Sequence, residues 1–262
     1  MPPLITLTTD FGSRDPFVGI MKGVILSICP AARLVDLTHE VAPQDVLGGR
    51  LALESAVPFF PDGTVHLAVV DPGVGSARRP IAVRCGGHQL VGPDNGLLSF
   101  ALERPGCTVV ALTAPEYRLP EVSATFHGRD IFAPAAAHLA AGRPLERLGP
   151  VVVDPVRLSL PGCRLVGGVL IGEVLDADRF GNLITSIASA RLSEIPGSGV
   201  PSVEVEGRAA GRVVESYAEG GDGEPAAIVG STGRLEIFVK GGSARGLLDV
   251  GRGAAVRVRR SG

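Results

Sequence analysis

A repeated strand–turn–helix pattern in the first half of the chain restricts its fold more than any other feature. Leu4–Thr9 is a short apolar and β-branched run that ends at turn-forming residues 10–12. Asp15-Pro16 then predicts the start of a helix with Asp15 as its cap, and apolar residues recur at helical spacing after it. A second strand and helix precede a third strand over residues 64–70. This alternation predicts an α/β domain with a mainly parallel sheet.

The second half of the chain has a different pattern. Residues 144–163 contain four prolines and little periodicity, which is typical of a linker. From residue 165 onward the helical signal ends, and short apolar runs, the first over residues 166–174, are separated by glycine turns. Such runs are typical of a small barrel or sandwich. We therefore predict an α/β N-terminal domain over residues 1–160 and an all-β, barrel-like C-terminal domain over residues 161–262.

Composition excludes several classes of function. The 25 Lys and Arg residues are balanced by 27 Asp and Glu residues, so no net positive field favours nucleic-acid binding. No apolar run approaches the roughly 20 residues that cross a bilayer, so we expect no membrane partner and no signal peptide. The four cysteines form no Cys-x-x-Cys pair, which argues against a zinc knuckle and against a disulfide framework. This usage favours the reducing cytoplasm.

Common catalytic motifs are absent from the sequence. Residues 73–78 lack the third glycine of a dinucleotide fingerprint, and no P-loop ending occurs. Residues 241–245 miss a nucleophile elbow at their last position, and no two histidines have metalloprotease spacing. We therefore expect neither a nucleotide cofactor nor a serine hydrolase nor a catalytic metal.

Polar residues instead follow the predicted strands, in four segments at residues 8–12, 36–39, 71–75 and 92–96. The carboxyl ends of neighbouring parallel strands meet at one crevice, so these loops are expected to share a pocket. Each of them taken singly also fits an ordinary turn. His127, which precedes a predicted helix, also fits a structural role, and residues 178–182 and 231–233 each fit a hairpin turn.

Taken in order, six motifs resemble one enzyme family. They are Thr8-Thr9-Asp10-Phe11-Gly12, Leu37-Thr38-His39-Glu40, Val70-Asp71-Pro72-Gly73-Val74-Gly75, Gly92-Pro93-Asp94-Asn95-Gly96, Phe126-His127-Gly128-Arg129-Asp130 and Asp178-Arg179-Phe180-Gly181-Asn182. This set resembles the S-adenosyl-L-methionine (SAM) hydroxide adenosyltransferases, which hydrolyse SAM to adenosine and L-methionine and are related to SAM-dependent fluorinases and chlorinases. The resemblance extends from about residue 4 to about residue 240.

The resemblance implies a homotrimer that binds SAM between the N-terminal domain of one subunit and the C-terminal domain of its neighbour. SAM would be the substrate, with no cofactor and no metal. Asp10 would hold the ribose hydroxyls, since a carboxylate accepts two hydrogen bonds from a vicinal diol. Asp178 and Asn182 would contact the methionine amino and carboxylate groups, and residues 235–242 would border adenine. The full set of implied substrate-binding residues is Asp10, Asn95, Phe126, Asp178, Asn182, Ser231 and Glu236.

The resemblance also implies a hydrolytic set of Asp71, Arg78 and His127, in which Asp71 takes a proton from water while the other two orient it. Spacing favours Arg78, but the adjacent Arg79 leaves that choice open. Two positions depart from the family pattern. Gln44 stands where relatives often carry an aromatic residue near the substrate, and Lys240 replaces an asparagine expected at the adenine edge.

Two other functions remain open at this point. A SAM-dependent halogenase would need a different environment, because Asp71 and His127 place a carboxylate and an imidazole where a halide must be desolvated. A non-catalytic SAM or adenosine sensor would keep the binding loops without turnover.

Overall fold

The sheet of the first half is mainly parallel, as the strand and helix alternation predicts. The computed structural model describes residues 2–260, and the chain forms two compact units that divide between Ser159 and Leu160. The strands of the first unit lie in the order β2-β1-β3-β5-β4-β6, and β4 alone runs antiparallel to its neighbours. Their bounds are β1 Leu4–Thr9, β2 Arg33–Thr38, β3 Val65–Val69, β4 Pro80–Cys85, β5 His88–Pro93 and β6 Thr108–Ala111.

Helices cover both faces of this sheet. α1 and α4 pack on one face, and α2 and α3 on the other. Within β3 the side chains alternate between the two cores, with Val65, Leu67 and Val69 in the first and Ala68 in the second. The helices are α1 Phe17–Ile28, α2 Val46–Ala56, α3 Ser99–Leu102 and α4 Ala133–Ala140, with a π-helical turn Gly128–Phe132 and short 3₁₀ turns at Val57–Phe59, Pro115–Tyr117 and Leu145–Arg147.

The first helix begins later than the sequence predicts. Pro16 is the N-cap of α1 and no side chain caps it, so the expectation that Asp15 is the cap is wrong. The reason is that the Ile20 N–H donates to the Pro16 carbonyl at 2.9 Å, which starts the first turn one residue further along. At α2 the Asp45 side chain does cap the helix, by accepting the Gly48 N–H at 3.0 Å.

The second unit is a closed β-barrel, so the predicted fold class of α/β domain plus all-β barrel is confirmed. Seven strands close through the antiparallel pairing of β14 with β8, and β7 adds to β8 outside the ring. Only the pair β11 and β12 is parallel. The strands are β7 Arg164–Val166, β8 Val169–Ala177, β9 Leu183–Ala188, β10 Ser202–Val205, β11 Arg208–Val214, β12 Pro225–Val229, β13 Arg234–Val239 and β14 Ala255–Arg259.

Two expectations for this unit are wrong in detail. Residues 166–174 form a hairpin and not one strand, because Gly167 and Gly168 adopt φ angles of +56° and +79° and turn the chain between β7 and β8. Helical turns are also present, as α5 Ala244–Leu248 and the 3₁₀ turns Ser189–Glu194 and Tyr217–Glu219. Ser243 caps α5 through its side chain.

The cysteines include one bonded pair, Cys85 with Cys107, which the sequence spacing does not predict. β4 and β6 are antiparallel with Arg84 opposite Thr108, so the next residues along, Cys85 and Cys107, face each other with their Cα atoms 4.4 Å apart. A disulfide is not what a reducing cytoplasm favours, so the cytoplasmic location stays a prediction. Within residues 2–260, no helix combines the length and the apolar character needed to span a bilayer.

Candidate active site

The ends of two neighbouring strands bring acidic residues to one cavity. β1 and β3 are adjacent and parallel, and Asp10 and Asp71 follow their carboxyl ends. Both residues line a cavity of about 390 Å³ in the first unit. Asp10 and Asp71 thus share a cavity at the carboxyl ends of β1 and β3, as the convergence of parallel strand ends predicts. The residues that line this cavity are Asp10, Phe11, Phe17, Pro43, Gln44, Val69, Asp71, Pro72, Val74, Thr125, Phe126, His127 and Gly128.

Asp71, Arg78 and His127 are in direct contact. Arg78 Nε donates to Asp71 Oδ1 at 2.8 Å, and Arg78 Nη2 donates to Asp71 Oδ2 and also to His127 Nδ1, the latter at 2.7 Å. The exposed fractions of the Asp71 and Arg78 side chains are 5% and 9%, so the ion pair is shielded from solvent. The Arg78 guanidinium also lies over the Phe132 ring, 5.2 Å from its centroid.

The contact with Arg78 fixes the state of His127. A guanidinium only donates hydrogen bonds, so His127 Nδ1 accepts and the proton of the neutral ring is on Nε2. Burial lowers the pKa of His127 below its usual range, the Arg78 charge lowers it further, and Asp71 opposes both effects. His127 is therefore a neutral ring that presents an N–H donor from Nε2.

The neighbouring arginine points to other partners. Arg79 contacts Asp94 at 2.7 Å through Nη2 and Asp154 at 2.7 Å through Nη1. The buried Asp94 carboxylate also accepts the Val156 N–H at 2.8 Å, so this cluster fastens the proline-rich segment to the first unit. Arg78, and not Arg79, is the arginine that contacts Asp71 and His127.

Close backbone packing holds the Asp71–Arg78 loop beside His127. Gly75 has a φ of +76°, and a Cβ added there would lie 2.4 Å from the Ala124 carbonyl oxygen. Gly75 therefore lets the loop approach the segment that precedes His127. The π-helical turn Gly128–Phe132 begins directly after His127, and such turns recur at functional sites.

Asp10 lies in a turn at the other side of the cavity. Its Oδ2 accepts the Gln44 N–H at 2.7 Å. Gln44 adopts a φ of +67°, which is rare for a residue other than glycine, and its side chain is exposed. Three aromatic rings in the same cavity pack edge-to-face with one another, with centroids 5.3 to 6.0 Å apart, namely Phe11, Phe17 and Phe126.

Asn95 is placed differently from the other predicted residues. Its side-chain amide donates to the Val70 carbonyl at 2.9 Å, and its Oδ1 accepts the Leu97 N–H at 3.1 Å. Asn95 does not line the cavity, and its side chain instead ties the turn after β5 to the end of β3.

The second unit carries its own cavity, of about 500 Å³, lined by Asp178, Phe180, Asn182, Tyr217, Phe238, Val239, Lys240, Gly241 and Gly242. Asp178 Oδ2 accepts the Asn182 amide at 2.9 Å, and Asp178 Oδ1 accepts the backbone N–H groups of Phe180 and Asn182. The turn is therefore built around the Asp178 carboxylate. Ser231 lies in the exposed turn between β12 and β13.

Glu236 is buried next to this cavity. Its Oε2 accepts the Tyr217 hydroxyl at 3.3 Å. Burial raises the pKa of Glu236, the Tyr217 hydrogen bond opposes the rise, and the charge of Asp178 adds to it. The cavity thus has one carboxyl group, Asp178, in its lining and a buried one, Glu236, next to it, an arrangement that a positively charged ligand group would stabilise.

Sequence reasoning missed most of the apolar lining, although a signal for it exists. The chain has only nine Phe and two Tyr residues and no Trp. Six of these eleven aromatic residues line the two cavities, namely Phe11, Phe17, Phe126, Phe180, Tyr217 and Phe238. Phe11 and Phe180 stand within the polar turns at residues 10–12 and 178–182, and this placement is the sequence signal that could have identified them. Among the described residues, no cluster of three or more His, Cys, Asp or Glu side chains has metal-binding geometry.

The chain is similar to known proteins over most of its length. The chain is 45% identical over 260 residues to an (R)-S-adenosyl-L-methionine hydrolase of Salinispora tropica. The alignment covers 98% of this chain and 97% of that protein. A hydrolase of the same name from Thermus thermophilus is also 45% identical, over 98% of this chain and all of that protein. A fluorinase of an Actinoplanes species is more distant, at 33% identity over 73% of this chain and 74% of that protein.

A solved structure has the same fold. It is the crystal structure of an uncharacterized conserved protein from Thermotoga maritima, with a TM-score of 0.92, 35% identity and coverage of 98% of this chain and 100% of that one. Residues 5–149 match the N-terminal domain, and residues 172–257 the C-terminal domain, of the SAM hydroxide adenosyltransferases. The chain belongs to the SAM hydroxide adenosyltransferase family.

Proposed function

We propose that this chain hydrolyses SAM to adenosine and L-methionine, with water attacking the ribose C5′ atom, and that its substrate is the (R) epimer at the sulfonium. The observation that carries the reaction is the buried contact of Asp71, Arg78 and His127 at the end of β3. The choice of epimer rests on the name of the hydrolases that share 45% identity with the chain.

The proposed roles follow from the hydrogen-bonding capacity of the three side chains. His127 Nε2–H donates to the oxygen of the attacking water and orients its lone pair toward C5′. Each Asp71 oxygen that accepts an Arg78 N–H keeps a second lone pair, so Asp71 takes the proton that water loses. Arg78 holds the other two groups in place through its rigid fork of donors.

The bond changes balance without a further reactant. The water oxygen forms a bond to C5′ while the C5′–S bond breaks, and the bonding electrons leave on sulfur as the neutral thioether of methionine. One water proton goes to Asp71 and later to solvent. Because attack by a hydroxide-like oxygen on a sulfonium removes opposite charges, the step is favoured in a poorly solvated cavity. The proposal assigns no metal and no cofactor, and activity is expected to survive EDTA.

The substrate groups are assigned to both cavities. Asp10 Oδ1 would receive the ribose hydroxyls, because Oδ2 already accepts the Gln44 N–H. Phe126 would cover the sulfonium and ribose region, and Asn95 would support the Asp71 loop through its bond to Val70. Asp178 and Asn182 would hold the methionine amino and carboxylate groups. Ser231 would contact the same amino acid part, and Glu236 would add negative potential near the ammonium group.

We also propose a homotrimer in which the site joins two subunits. Asp10, Asp71 and His127 line the cavity of the first unit, whereas the acidic residues suited to an ammonium group line or adjoin the cavity of the second unit. The first cavity would come from one subunit and the second from its neighbour. A monomer would then lack a complete site.

One incubation series tests the reaction. The chain is incubated with (S)-SAM, and with an epimer mixture, in ¹⁸O-labelled water, with and without chloride or fluoride. We expect adenosine that carries ¹⁸O at its 5′ hydroxyl, formed from the (R) fraction alone. A 5′-halo-deoxyadenosine would identify a halogenase, unchanged SAM a binding protein, and equal consumption of both epimers would refute the choice of epimer.

A further inference from the structure

One sequence motif, residues 36–39 at the end of β2, has no part in the proposed chemistry. We infer that His39 is a positioning residue that fixes the turn carrying Asp10, and so sets the affinity for the ribose part of the substrate. The inference rests on the proposed contact of Asp10 with the ribose hydroxyls.

His39 is bonded to both ends of that turn. Its Nδ1 lies 2.9 Å from Thr9 Oγ1, and its backbone carbonyl accepts the Gly12 N–H at 2.8 Å. Thr9 Oγ1 in turn accepts the Phe11 N–H at 3.2 Å. Asp10 therefore lies between Thr9, whose hydroxyl bonds to His39, and Phe11, whose N–H bonds to that hydroxyl.

A charged pair fixes the other side of the ring. His39 Nε2 lies 3.1 Å from Asp36 Oδ1, and Lys22 Nζ lies 2.6 Å from Asp36 Oδ2. A proton on Nε2 faces the Asp36 carboxylate, which leaves Nδ1 as the acceptor for the Thr9 hydroxyl. The Phe11 N–H and the Thr9 hydroxyl then each have an acceptor, whereas His39 Nε2 lies close to the Asp36 carboxylate without the geometry of a hydrogen bond.

This arrangement fixes the orientation of the Thr9 hydroxyl, which donates to His39 Nδ1 and accepts the Phe11 N–H. Thr9 is fully buried, so its hydroxyl has no water to replace a lost partner, and an unmade bond there is costly. Without the ring nitrogen, the buried hydroxyl has no acceptor, which favours a different Thr9 χ1 rotamer in which Oγ1 lies away from the Phe11 N–H, and the turn loses the contact that orients Asp10. Since Asp10 would bind the ribose equally in the ground state and the transition state, the loss belongs in KM and not in kcat.

Two substitutions separate the two nitrogens of the ring. The amide of His39→Asn reaches the position of Nδ1 and keeps the bond to Thr9, whereas the amide of His39→Gln reaches the position of Nε2 and keeps only the contact with Asp36. We expect His39→Gln to raise KM for SAM by roughly three- to tenfold, as for the loss of one hydrogen bond, with kcat within about twofold of wild type. His39→Asn should stay close to wild type in both constants.

Binding of adenosine and 2′,3′-dideoxyadenosine, measured by calorimetry, links the effect to the ribose. Wild type should prefer adenosine, and His39→Gln should lose most of that preference while His39→Asn retains it. A wild type without preference would refute the ribose role of Asp10 and with it the proposed binding mode. A wild-type preference that survives in His39→Gln would overturn the inference for His39 alone.

Thr9 supplies the second test, which decides the matter if a His39 variant does not fold. Thr9→Val removes the same hydrogen bond from its other end, and Thr9→Ser keeps the hydroxyl. The inference requires that Thr9→Val raise KM and reduce the preference for adenosine, and that Thr9→Ser do neither. Equal behaviour of the two variants would overturn it.

Discussion

At the scale of single residues, the catalytic proposal depends on the charge of Asp71. Arg78 contacts both oxygens of this carboxylate, and the pair is nearly closed to solvent. Arg78 also reaches His127 from the same nitrogen, so one guanidinium holds both proposed partners of the attacking water. Removing the charge while keeping the shape therefore separates catalysis from binding.

The substitution Asp71→Asn makes that separation. SAM should still bind, because Asp71 makes no proposed contact with the ribose hydroxyls or the amino acid part. Turnover should fall by roughly 10²- to 10⁴-fold, the usual scale of a lost general base. Calorimetric binding and single-turnover kinetics on one preparation measure the two effects. Hydrolysis of bound SAM at the wild-type rate would remove Asp71 from the mechanism, and a joint loss of affinity and thermal stability would make it a turn residue before Pro72.

At the scale of elements, the site depends on two loops that touch through backbone atoms. Gly75 approaches the Ala124 carbonyl so closely that any side chain would push the Asp71–Arg78 loop away from His127. Gly63 offers a matched control, since its φ is +85° and a Cβ there would meet no atom within 4 Å. Both positions share the backbone strain of a left-handed residue, and only Gly75 has the steric contact.

We expect Gly75→Ala to reduce kcat by at least about tenfold, because the bond between Arg78 and His127 is displaced. Gly63→Ala should leave kcat unchanged and cost about 1 kcal/mol of stability from backbone strain alone. Steady-state kinetics and urea unfolding of both variants measure the difference. Full activity in Gly75→Ala would show that the loop tolerates displacement and would count against the tight geometry proposed for the site.

A second element-scale prediction concerns acid stability. His66 of β3 is fully buried, bonded to Thr6 at 2.8 Å and 3.3 Å from His88 of β5. Burial, with a smaller contribution from the His88 charge, lowers the pKa of His66 to about 4. Below the unfolded pKa of about 6.5, the unfolded chain binds a proton that folded His66 does not, so stability falls as the pH drops toward 4.

Through His66 alone, the free energy of unfolding changes by at most about 1.4 kcal/mol per pH unit. This loss of stability ends below about pH 4, where folded His66 also binds a proton. Urea unfolding at pH 7, 6 and 5 measures it, in a range where most carboxylates stay ionised. His66→Gln removes the imidazole and should give a flatter dependence than wild type. An identical slope in the two proteins would mean that His66 is not the group that titrates.

The elements also mark what the sequence could and could not predict. The strand Leu4–Thr9 has the same bounds in prediction and structure, because its apolar run and its turn residues are local signals. The hairpin at Gly167-Gly168 was missed because apolar residues flank both glycines. The Cys85–Cys107 pair depends on the register of β4 with β6, which no local pattern contains.

The same limit applies to the site. Asp10 and Asp71 could be brought together from the sequence, since parallel strand ends converge by topology. Spacing could favour Arg78 over Arg79 but could not decide between them, because the contact with His127 depends on packing between segments 49 residues apart. The motif around Asn95 predicts a substrate-binding residue, whereas its bonds to Val70 and Leu97 give Asn95 a supporting position in the turn.

At the scale of the whole molecule, the proposed site requires two halves from different subunits. The groups suited to hydrolysis lie in the first unit, and the groups suited to the methionine end lie in the second. An assembly that joins them between subunits is therefore testable by mixing chains that each carry one defective half.

Asp71→Asn and Asp178→Ala provide the two halves. Each variant alone should be nearly inactive at low SAM, the first through kcat and the second through KM. When the two chains are co-expressed with different tags and the mixed trimers are purified, about a third of the sites should combine an intact Asp71 with an intact Asp178 and regain activity, because each mixed cyclic trimer has one such interface out of three. A mixture of Asp71→Asn with Asp10→Ala is the control, because both defects lie in the first unit and no pairing of subunits restores a site. Mixed trimers no more active than their parents would place the whole site within one chain and refute the shared site.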